Sequence, residues 1–283
     1  YRIVPNTLFT NIGSLVMPAA EVGALETLSN AAFVVEDGLI SWVGEADSAP
    51  SSDSVVDVAG ACVIPGFVDS HAHLMFAGSR EQEFAARMAG VSYSAGGIKT
   101  TVAKTRAATD SELRANAQKL IAEFYQSGVT HFEIKSGYGL DIETEVRSLK
   151  IAREFTEDTT FLGAHVVPAD QDPEAYVELL TTTMLDAAAP FAKWIDVFCD
   201  RGFFSVDETD RILEAGNKRG LKPKIHANEL DFSGGVQVGV KHNALSVDHL
   251  ECVGDDEIKT LLGSKTMPTL LPGTAFFLKI HYP

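Results

Sequence analysis

Two histidines separated by one residue lie near the end of an apolar run, VIPGFVDSHAHLMF, at positions 63–76. Side chains of a strand alternate between its two faces, so His71 and His73 share one face. At the carboxyl end of a buried strand, two imidazoles in this arrangement can bind one metal ion. Solvated loop histidines show the same spacing, so the other residues of the chain must decide between the two interpretations.

Other histidines follow other strand-like segments in the same way. His165, His226 and His249 each lie at or just beyond the end of a different segment, which is where a barrel assembles its active site. Neutral imidazole binds zinc or iron well, and catalytic metal sites commonly have three protein ligands. We therefore predict a metal site formed by His71, His73 and His226.

Two acid-base groups accompany the predicted ligands. Glu229 follows His226 by three residues, close enough to take a proton from water and pass it to a leaving nitrogen. A solvated loop carboxylate is the alternative interpretation of Glu229. His249 is predicted to hydrogen-bond an oxyanion or to orient the attacking water, whereas a structural histidine held by Asp248 would give the same sequence.

Two further side chains have the chemistry of substrate contacts. Arg80 offers a guanidinium fork for a carboxylate, although an isolated loop arginine is commonly solvated. Tyr138 lies between glycines that permit a tight turn and expose its ring, and packing within that turn is the alternative. The remaining histidines are out of phase with the strand ends and are predicted to be structural or exposed: His131, His242 and His281.

Strand-like and helical segments alternate after Pro65. A capping box at positions 109–112 and Gly128 delimit one predicted helix, and Asp207–Arg219 forms another. Such alternation predicts a parallel sheet, and the position of the histidines favours a (β/α)8 barrel over an open doubly wound sheet. The sequence contains no Gly-x-Gly-x-x-Gly or phosphate-loop motif, so no dinucleotide or ATP site is expected.

Residues 1–63 have a different pattern. Their apolar runs are short, and two of them are joined by Asp37-Gly38, a pair that is typical of hairpin turns. We predict that residues 1–63 form the N-terminal part of a small β domain and that residues 64–283 form the barrel.

Composition restricts the classes of partner. The 283 residues carry a formal net charge of -16, which argues against nucleic acid and anionic membranes because both require clustered Lys and Arg. The three cysteines form no Cys-x-x-Cys pair, and no apolar run reaches the length of a membrane span. These features predict a cytoplasmic protein with reduced thiols, and a homodimer is the default expectation for a soluble enzyme.

The chain resembles the amidohydrolase superfamily and, within it, the imidazolonepropionase family. The superfamily pattern is Pro-Gly-Phe-Val-Asp-Ser-His-Ala-His at Pro65–His73. The resemblance implies a TIM-like (β/α)8 barrel of the amidohydrolase type with a small β-sandwich domain. It covers nearly the whole chain, and the narrower match rests on segments 76–80, 96–101, 133–139, 161–165, 226–229, 247–249 and 270–273.

The resemblance implies hydrolysis of the cyclic amide 4-imidazolone-5-propanoate to N-formimidoyl-L-glutamate in histidine degradation. One divalent or trivalent ion, zinc or iron, would serve as cofactor, and the partner would be this small anionic ring substrate. By the same matching, Arg80 holds the propanoate, Tyr138 and His165 contact the ring or the product, and Tyr93 is a weaker candidate for substrate binding. A hydrolase or deaminase of another small ring and a catalytically inactive metal-binding scaffold are the alternatives.

The sequence departs from the family pattern in three places. The family carries a metal-binding Asp after its eighth barrel strand, whereas this sequence ends at Pro283, before such a segment. We therefore expect a barrel without its last strand, and a small domain without the strands that the family takes from the end of its chain. The stretch Tyr93–Gly96 is also shorter than the family pattern.

Overall fold

The computed structural model describes residues 6–21, 23–90, 96–280 and 282. The chain divides into two compact units, Tyr1–Phe67 and Val68–Pro283. The boundary lies a few residues after the predicted one at residue 63. Tyr93 and His281, both singled out from the sequence, lie outside the described residues.

The N-terminal unit contains one mixed five-stranded sheet in the order β3-β2-β1-β4, with β5 paired to β1. Strands β1, β2 and β3 pair antiparallel, whereas β4 and β5 run parallel to β1. Asp37 and Gly38 join β2 to β3 with φ of 53° and 77°, so the predicted two-residue hairpin turn is confirmed. The strands are β1 (Thr7–Pro18), β2 (Leu25–Glu36), β3 (Leu39–Glu45), β4 (Ser54–Asp57) and β5 (Cys62–Val63).

The second unit contains the remaining strands. The main sheet has the order β14-β13-β12-β10-β9-β8, with β11 on β10, and its neighbouring strands run parallel. A separate pair joins β6 to β7. The strands are β6 (Phe67–Asp69), β7 (Val129–Phe132), β8 (Ile134–Lys135), β9 (Thr159–Ala164), β10 (Trp194–Cys199), β11 (Lys222–Pro223), β12 (Ile225–Ala227), β13 (Ser246–His249) and β14 (Met267–Leu270).

Backbone hydrogen bonds continue the sheet from β8 and the residue before it to the end of β6 and the residues after it. The Glu133 N–H donates to the Asp69 carbonyl at 2.9 Å, and the Lys135 N–H donates to the Ala72 carbonyl at 2.9 Å. The predicted parallel sheet is therefore confirmed, and it curls as a barrel does. Among the described residues it does not close, because a cavity of about 590 Å³ lies between β14 and the end of β6.

Helices alternate with these strands. The capping box of Thr109 and Glu112 begins α3, and Gly128, with φ of 83°, follows its last turn, as the sequence predicted. No helix in the described part of the chain is long and apolar enough to cross a membrane. The helices are α1 (Glu81–Met88), α2 (Gly96–Ala107), α3 (Asp110–Gln126), α4 (Ile142–Ala152), α5 (Pro173–Thr181), α6 (Thr183–Ala188), α7 (Val206–Lys218), α8 (Gly235–Lys241), α9 (Asp255–Leu262) and α10 (Pro272–Leu278), with single 3-10 turns at Ala46–Ser48 and Ala189–Phe191.

The largest apolar core of this unit lies between the sheet and the helices that cover it. Phe161 of β9 and Val197 of β10 pack there with Leu149 of α4 and Ile212 of α7, and all four are at most 1% exposed. Burial of these apolar side chains stabilises the contact between the strands and the helices that cover them. The rigid strand ends then position the loops that carry the polar residues.

Candidate active site

The structure brings eight of the nine predicted site residues together at the carboxyl ends of the parallel strands. They surround a cavity of about 310 Å³, and they are His71, His73, Arg80, Tyr138, His165, His226, Glu229 and His249. The ninth, Tyr93, lies outside the described residues. Because parallel strands share one direction, residues far apart in the sequence meet at one end of the sheet.

Three imidazoles crowd the floor of this cavity. The Nε2 atoms of His73 and His226 lie 3.3 Å apart, and the ring centroids of His71 and His226 lie 4.5 Å apart. Two imidazole nitrogens bound tetrahedrally to one zinc at about 2.0–2.1 Å would be separated by about 3.3–3.4 Å. The His73–His226 pair thus has the spacing of two ligands of one ion.

His249 joins the same group. One nitrogen from each of His71, His226 and His249 lies within 4.8 Å of the other two, so these residues also form a possible metal-binding triad. His73 contributes a buried Nδ1 that has no hydrogen-bond partner among the described residues. The described part of the chain therefore offers four converging imidazoles, one more than the sequence assigned to the metal.

Two buried aspartates orient these rings. The Nδ1–H of His71 donates to Asp248 Oδ2 at 2.7 Å, and the Nδ1–H of His226 donates to Asp196 Oδ1 at 3.0 Å. A carboxylate acceptor at Nδ1 leaves the lone pair on Nε2, which is the form that binds a metal. The donor set of neutral imidazoles therefore fits a zinc or iron ion.

The partner of Asp248 differs from the one that the sequence suggested. Asp248 was the alternative structural partner of His249, but its carboxylate binds His71 instead. The Nδ1 of His249 lies 3.5 Å from carboxylate oxygens of both Glu229 and Glu251. The structural alternative for His249 is wrong in this respect, because that ring faces the acidic side chains of the cavity.

Burial keeps most of these histidines neutral. It lowers the pKa of His226 to about 4 and that of His165 to about 4, and it holds the pKa values of His71 and His73 well below the usual 6.5. His249 behaves differently. Burial also opposes its charge, but the carboxylates of Glu229 and Glu251 outweigh burial and raise the pKa of His249.

Glu229 is held in the cavity by the loop after β12. The residue is 8% exposed, and burial raises the pKa of its carboxyl group. Asp200, at the end of β10, anchors this loop by accepting the Leu230 N–H at 2.7 Å and the Ser233 hydroxyl. The alternative of a solvated Glu229 is therefore wrong. Asp200 was not among the predicted site residues, although it directly follows β10.

Arg80 and Tyr138 form the opposite wall of the cavity. The Nη2 of Arg80 donates to the Tyr138 hydroxyl at 3.3 Å, and its Nε donates to Thr101 Oγ1 at 3.1 Å. The guanidinium carbon also lies 5.4 Å from the centre of the Tyr138 ring. These contacts hold the Arg80 guanidinium in a fixed orientation. Among the described residues that line the cavity, Arg80 is the only lysine or arginine.

His165 closes the wall between Tyr138 and the histidine cluster. Its Nδ1–H donates to the Gly137 carbonyl at 2.9 Å, and its ring stacks on His73 with centroids 5.4 Å apart. The Tyr138 loop is itself held by Glu145 of α4, whose carboxylate accepts the N–H groups of Gly137, Gly139 and Leu140. Glu145 was missed because an acidic residue in a first helical turn usually indicates solvent exposure.

Two histidines that the sequence predicted to be structural or exposed lie outside the cavity. His131 pairs with Asp158 at 2.6 Å, and His242 pairs with Asp210 at 2.7 Å. Neither lines the cavity. For these two residues the prediction of a structural or exposed histidine is confirmed.

Two solved structures have a similar fold. A 5-methylcytosine deaminase from Klebsiella pneumoniae superposes with a TM-score of 0.68 at 16% identity, covering 96% of this chain and 67% of that one. An amidohydrolase from an environmental sample of the Sargasso Sea gives a TM-score of 0.63 at 17% identity, covering 96% of this chain and 65% of that one. At these identities the likeness shows the fold, which this chain shares with both enzymes.

Sequence relatives identify the family of the chain, although no family model matches it. The imidazolonepropionase of Mycolicibacterium smegmatis is 54% identical over 280 residues, which cover 98% of this chain and 71% of the relative. The imidazolonepropionase of Salinispora tropica is 52% identical over 281 residues, which cover 98% of this chain and 72% of the relative. The chain belongs to the imidazolonepropionase family, a family of hydrolases, and the family resemblance drawn from the sequence is confirmed.

Proposed function

We propose that the chain hydrolyses the ring amide of 4-imidazolone-5-propanoate and releases N-formimidoyl-L-glutamate. The observation that carries this proposal is the layout of one cavity. Arg80 and Tyr138 lie at one wall, and the histidine cluster with Glu229 lies at the other. The substrate has a carboxylate at one end and a cyclic amide at the other, so both ends find complementary groups.

We assign His71, His73 and His226 as ligands of the metal ion, with His249 beside them. Imidazole nitrogen is a good ligand for both zinc and iron, so the donor set accepts either ion. When bound, the ion supplies Lewis acidity that lowers the pKa of water and polarises a carbonyl oxygen. Asp196 and Asp248 keep the ligand rings in the required tautomer by accepting their Nδ1–H groups.

Glu229 acts as the general base. The buried carboxylate takes a proton from the attacking water and delivers it to the ring nitrogen as the C–N bond breaks. Its raised pKa favours this double role, because a carboxyl group that binds a proton more readily is a better base and still returns the proton. The water adds to the carbonyl carbon, which becomes the carboxyl group of the product.

His249 stabilises the negative charge that develops on the carbonyl oxygen. The carboxylates of Glu229 and Glu251 raise its pKa, which favours the protonated form that donates hydrogen bonds. Arg80 binds the propanoate, and Tyr138 and His165 contact the ring. Tyr93 stays a weaker prediction. The homodimeric state and the cytoplasmic location also stay predictions from the sequence.

The proposal is tested with protein that contains this chain and whose metal content has been measured. We expect hydrolysis of 4-imidazolone-5-propanoate, loss of that activity on chelation and recovery when zinc or iron is returned. A panel of neutral cyclic amides and aminopurines serves as comparison. Activity confined to a neutral ring would refute the substrate assignment, and metal binding without any turnover would support the inactive scaffold instead.

The Glu229→Gln variant tests the general base. We expect it to bind metal normally and to lose about a hundredfold or more in kcat, as removal of a general base does. Glu178→Gln, which changes an exposed glutamate of α5 in the same way, serves as the control and should retain full activity. A Glu229→Gln enzyme within threefold of the native kcat would remove Glu229 from the mechanism.

A further inference from the structure

A cluster of five ionisable side chains lies buried inside the sheet, in contact with the histidine cluster. Each member is at most 4% exposed, which is rare for charged residues unless they are paired. Two are lysines and three are carboxylates: Lys135, Lys224, Glu133, Asp196 and Asp248. Burying such a cluster costs free energy, and its contacts with the aspartates that orient His71 and His226 indicate a role beyond packing.

Lys135 of β8 is the centre of this cluster. Its Nζ donates to Asp196 Oδ2 at 2.7 Å and to Glu133 Oε1 at 3.1 Å, and it lies 3.8 Å from Asp248 Oδ2. The side chain is fully buried. Its ammonium group has three N–H donors, and three carboxylates surround it.

Two of these carboxylates are the ones that hold imidazoles. Asp196 accepts both the backbone N–H and the Nδ1–H of His226 on its other oxygen, at 3.1 and 3.0 Å. Asp248 accepts the Nδ1–H of His71 at 2.7 Å. One ammonium group therefore lies between the supports of two histidines that come from different strands.

Lys224 has a different set of partners. Its Nζ donates to Glu133 Oε2 at 2.6 Å and to the Ser70 carbonyl at 2.6 Å. Among the described ion pairs it has none with Asp196 or Asp248. Lys135 is thus the lysine that joins the carboxylates supporting the histidines, and Glu133 is the member that links the two lysines without touching a histidine.

We propose that Lys135 is a positioning residue for the metal site. Its ammonium fixes Asp196 and Asp248, and through them it sets the orientation of His226 and His71. This inference rests on the metal site assigned under the proposed function. The competing explanation is that Lys135 only balances buried charge and stabilises the fold.

The test compares metal affinity with folding stability in the full-length protein. Lys135→Met removes the ammonium and keeps a side chain of similar length. We expect zinc affinity, measured by competition with a chromophoric chelator, to fall about ten- to a hundredfold, as loss of an outer support does. Glu133→Gln is the matched control and should change zinc affinity by less than about threefold.

A double variant separates positioning from charge balance. Lys135→Met alone leaves buried carboxylates without their counter-ion, which lowers the free energy of unfolding. Adding Glu133→Gln removes one of those carboxylates, so we expect the double variant to regain stability in urea titrations. Its zinc affinity should stay as weak as that of the single variant. Regained zinc affinity, or a double variant that does not fold, would overturn the proposal and assign Lys135 to folding alone.

The readout also distinguishes this inference from the proposed reaction. Chelator competition requires no turnover, so a native chain that binds zinc and hydrolyses nothing still reports on Lys135. Loss of zinc binding in His226→Ala assigns the ion to this cluster. If the His226→Ala variant still binds zinc as the native chain does, both the metal assignment and the role of Lys135 are overturned.

Discussion

Replacement of Glu145 by Gln should loosen the loop that presents Tyr138. The carboxylate accepts the N–H groups of Gly139 and Leu140 on Oε1, at 2.8 and 2.9 Å, and that of Gly137 on Oε2, at 3.0 Å. Glutamine keeps one acceptor oxygen and replaces the other with an NH2 group. If the oxygen stays with Gly139 and Leu140, the Gly137 N–H loses its 3.0 Å bond to Oε2 and faces a donor there, and it keeps only its 3.2 Å bond to Oε1.

The size of the effect follows from these bonds. A lost hydrogen bond to a charged acceptor costs about 1.5–3 kcal/mol, and the retained bonds to Oε1 weaken because their acceptor is now neutral. The opposing effect is that a buried charge disappears, and burial of that charge is what raises the pKa of Glu145. We therefore expect the free energy of unfolding to fall by about 2 kcal/mol.

Urea titration at pH 7 measures this change, and Glu143→Gln provides the control. Glu143 lies in the same first turn of α4, so it shares the interaction with the helix dipole, but its side chain is exposed. The control should change stability by less than about 0.5 kcal/mol. Equal losses in the two variants would refute the role of the buried carboxylate. The KM of Glu145→Gln should also rise, because Tyr138 loses its fixed position.

Acidification should destabilise the metal-free chain between pH 6.5 and 4. Burial lowers the pKa of His165 to about 4, so the unfolded chain binds a proton that the folded chain does not, at about 1.4 kcal/mol per pH unit. Urea titrations of His165→Gln should show a shallower decline, and an unchanged slope would contradict this pKa. Arg80→Ala should raise KM for the propanoate substrate about ten- to a hundredfold in steady-state assays, and an unchanged KM would exclude the carboxylate contact. Asp200→Asn should lower kcat about tenfold with little change in KM, because the loop of Glu229 loses a charged acceptor; an effect on KM alone would contradict that role.

The sequence was sufficient to place the histidines. Strand-like runs ended just before or at His73, His165 and His249, and parallel strands bring their carboxyl ends to one edge. The predicted helix Asp207–Arg219 is present at Val206–Lys218. Local patterns therefore predicted both the type of element and the end of the sheet where the site forms.

The supports of the site could not be predicted in the same way. Lys135 and Glu145 are fully buried, whereas charged residues are seldom fully buried unless they are paired. Their partners are fixed by the tertiary fold, as when Lys135 meets Asp196 across 61 positions of the chain. The pattern of one strand gives the face of a side chain but not the charge of the residue that will lie opposite it.

The hydrogen bond between His71 and Asp248 joins positions that are 177 residues apart. Contacts of such long range form slowly, because the intervening chain must lose its freedom before the contact can stabilise anything. Local turns such as the capped start of α3 require no such closure and can form early. The complete set of oriented imidazoles therefore exists only once the first and the late strands of the sheet have met. Tight metal uptake during refolding should mark the end of folding and cannot guide its beginning.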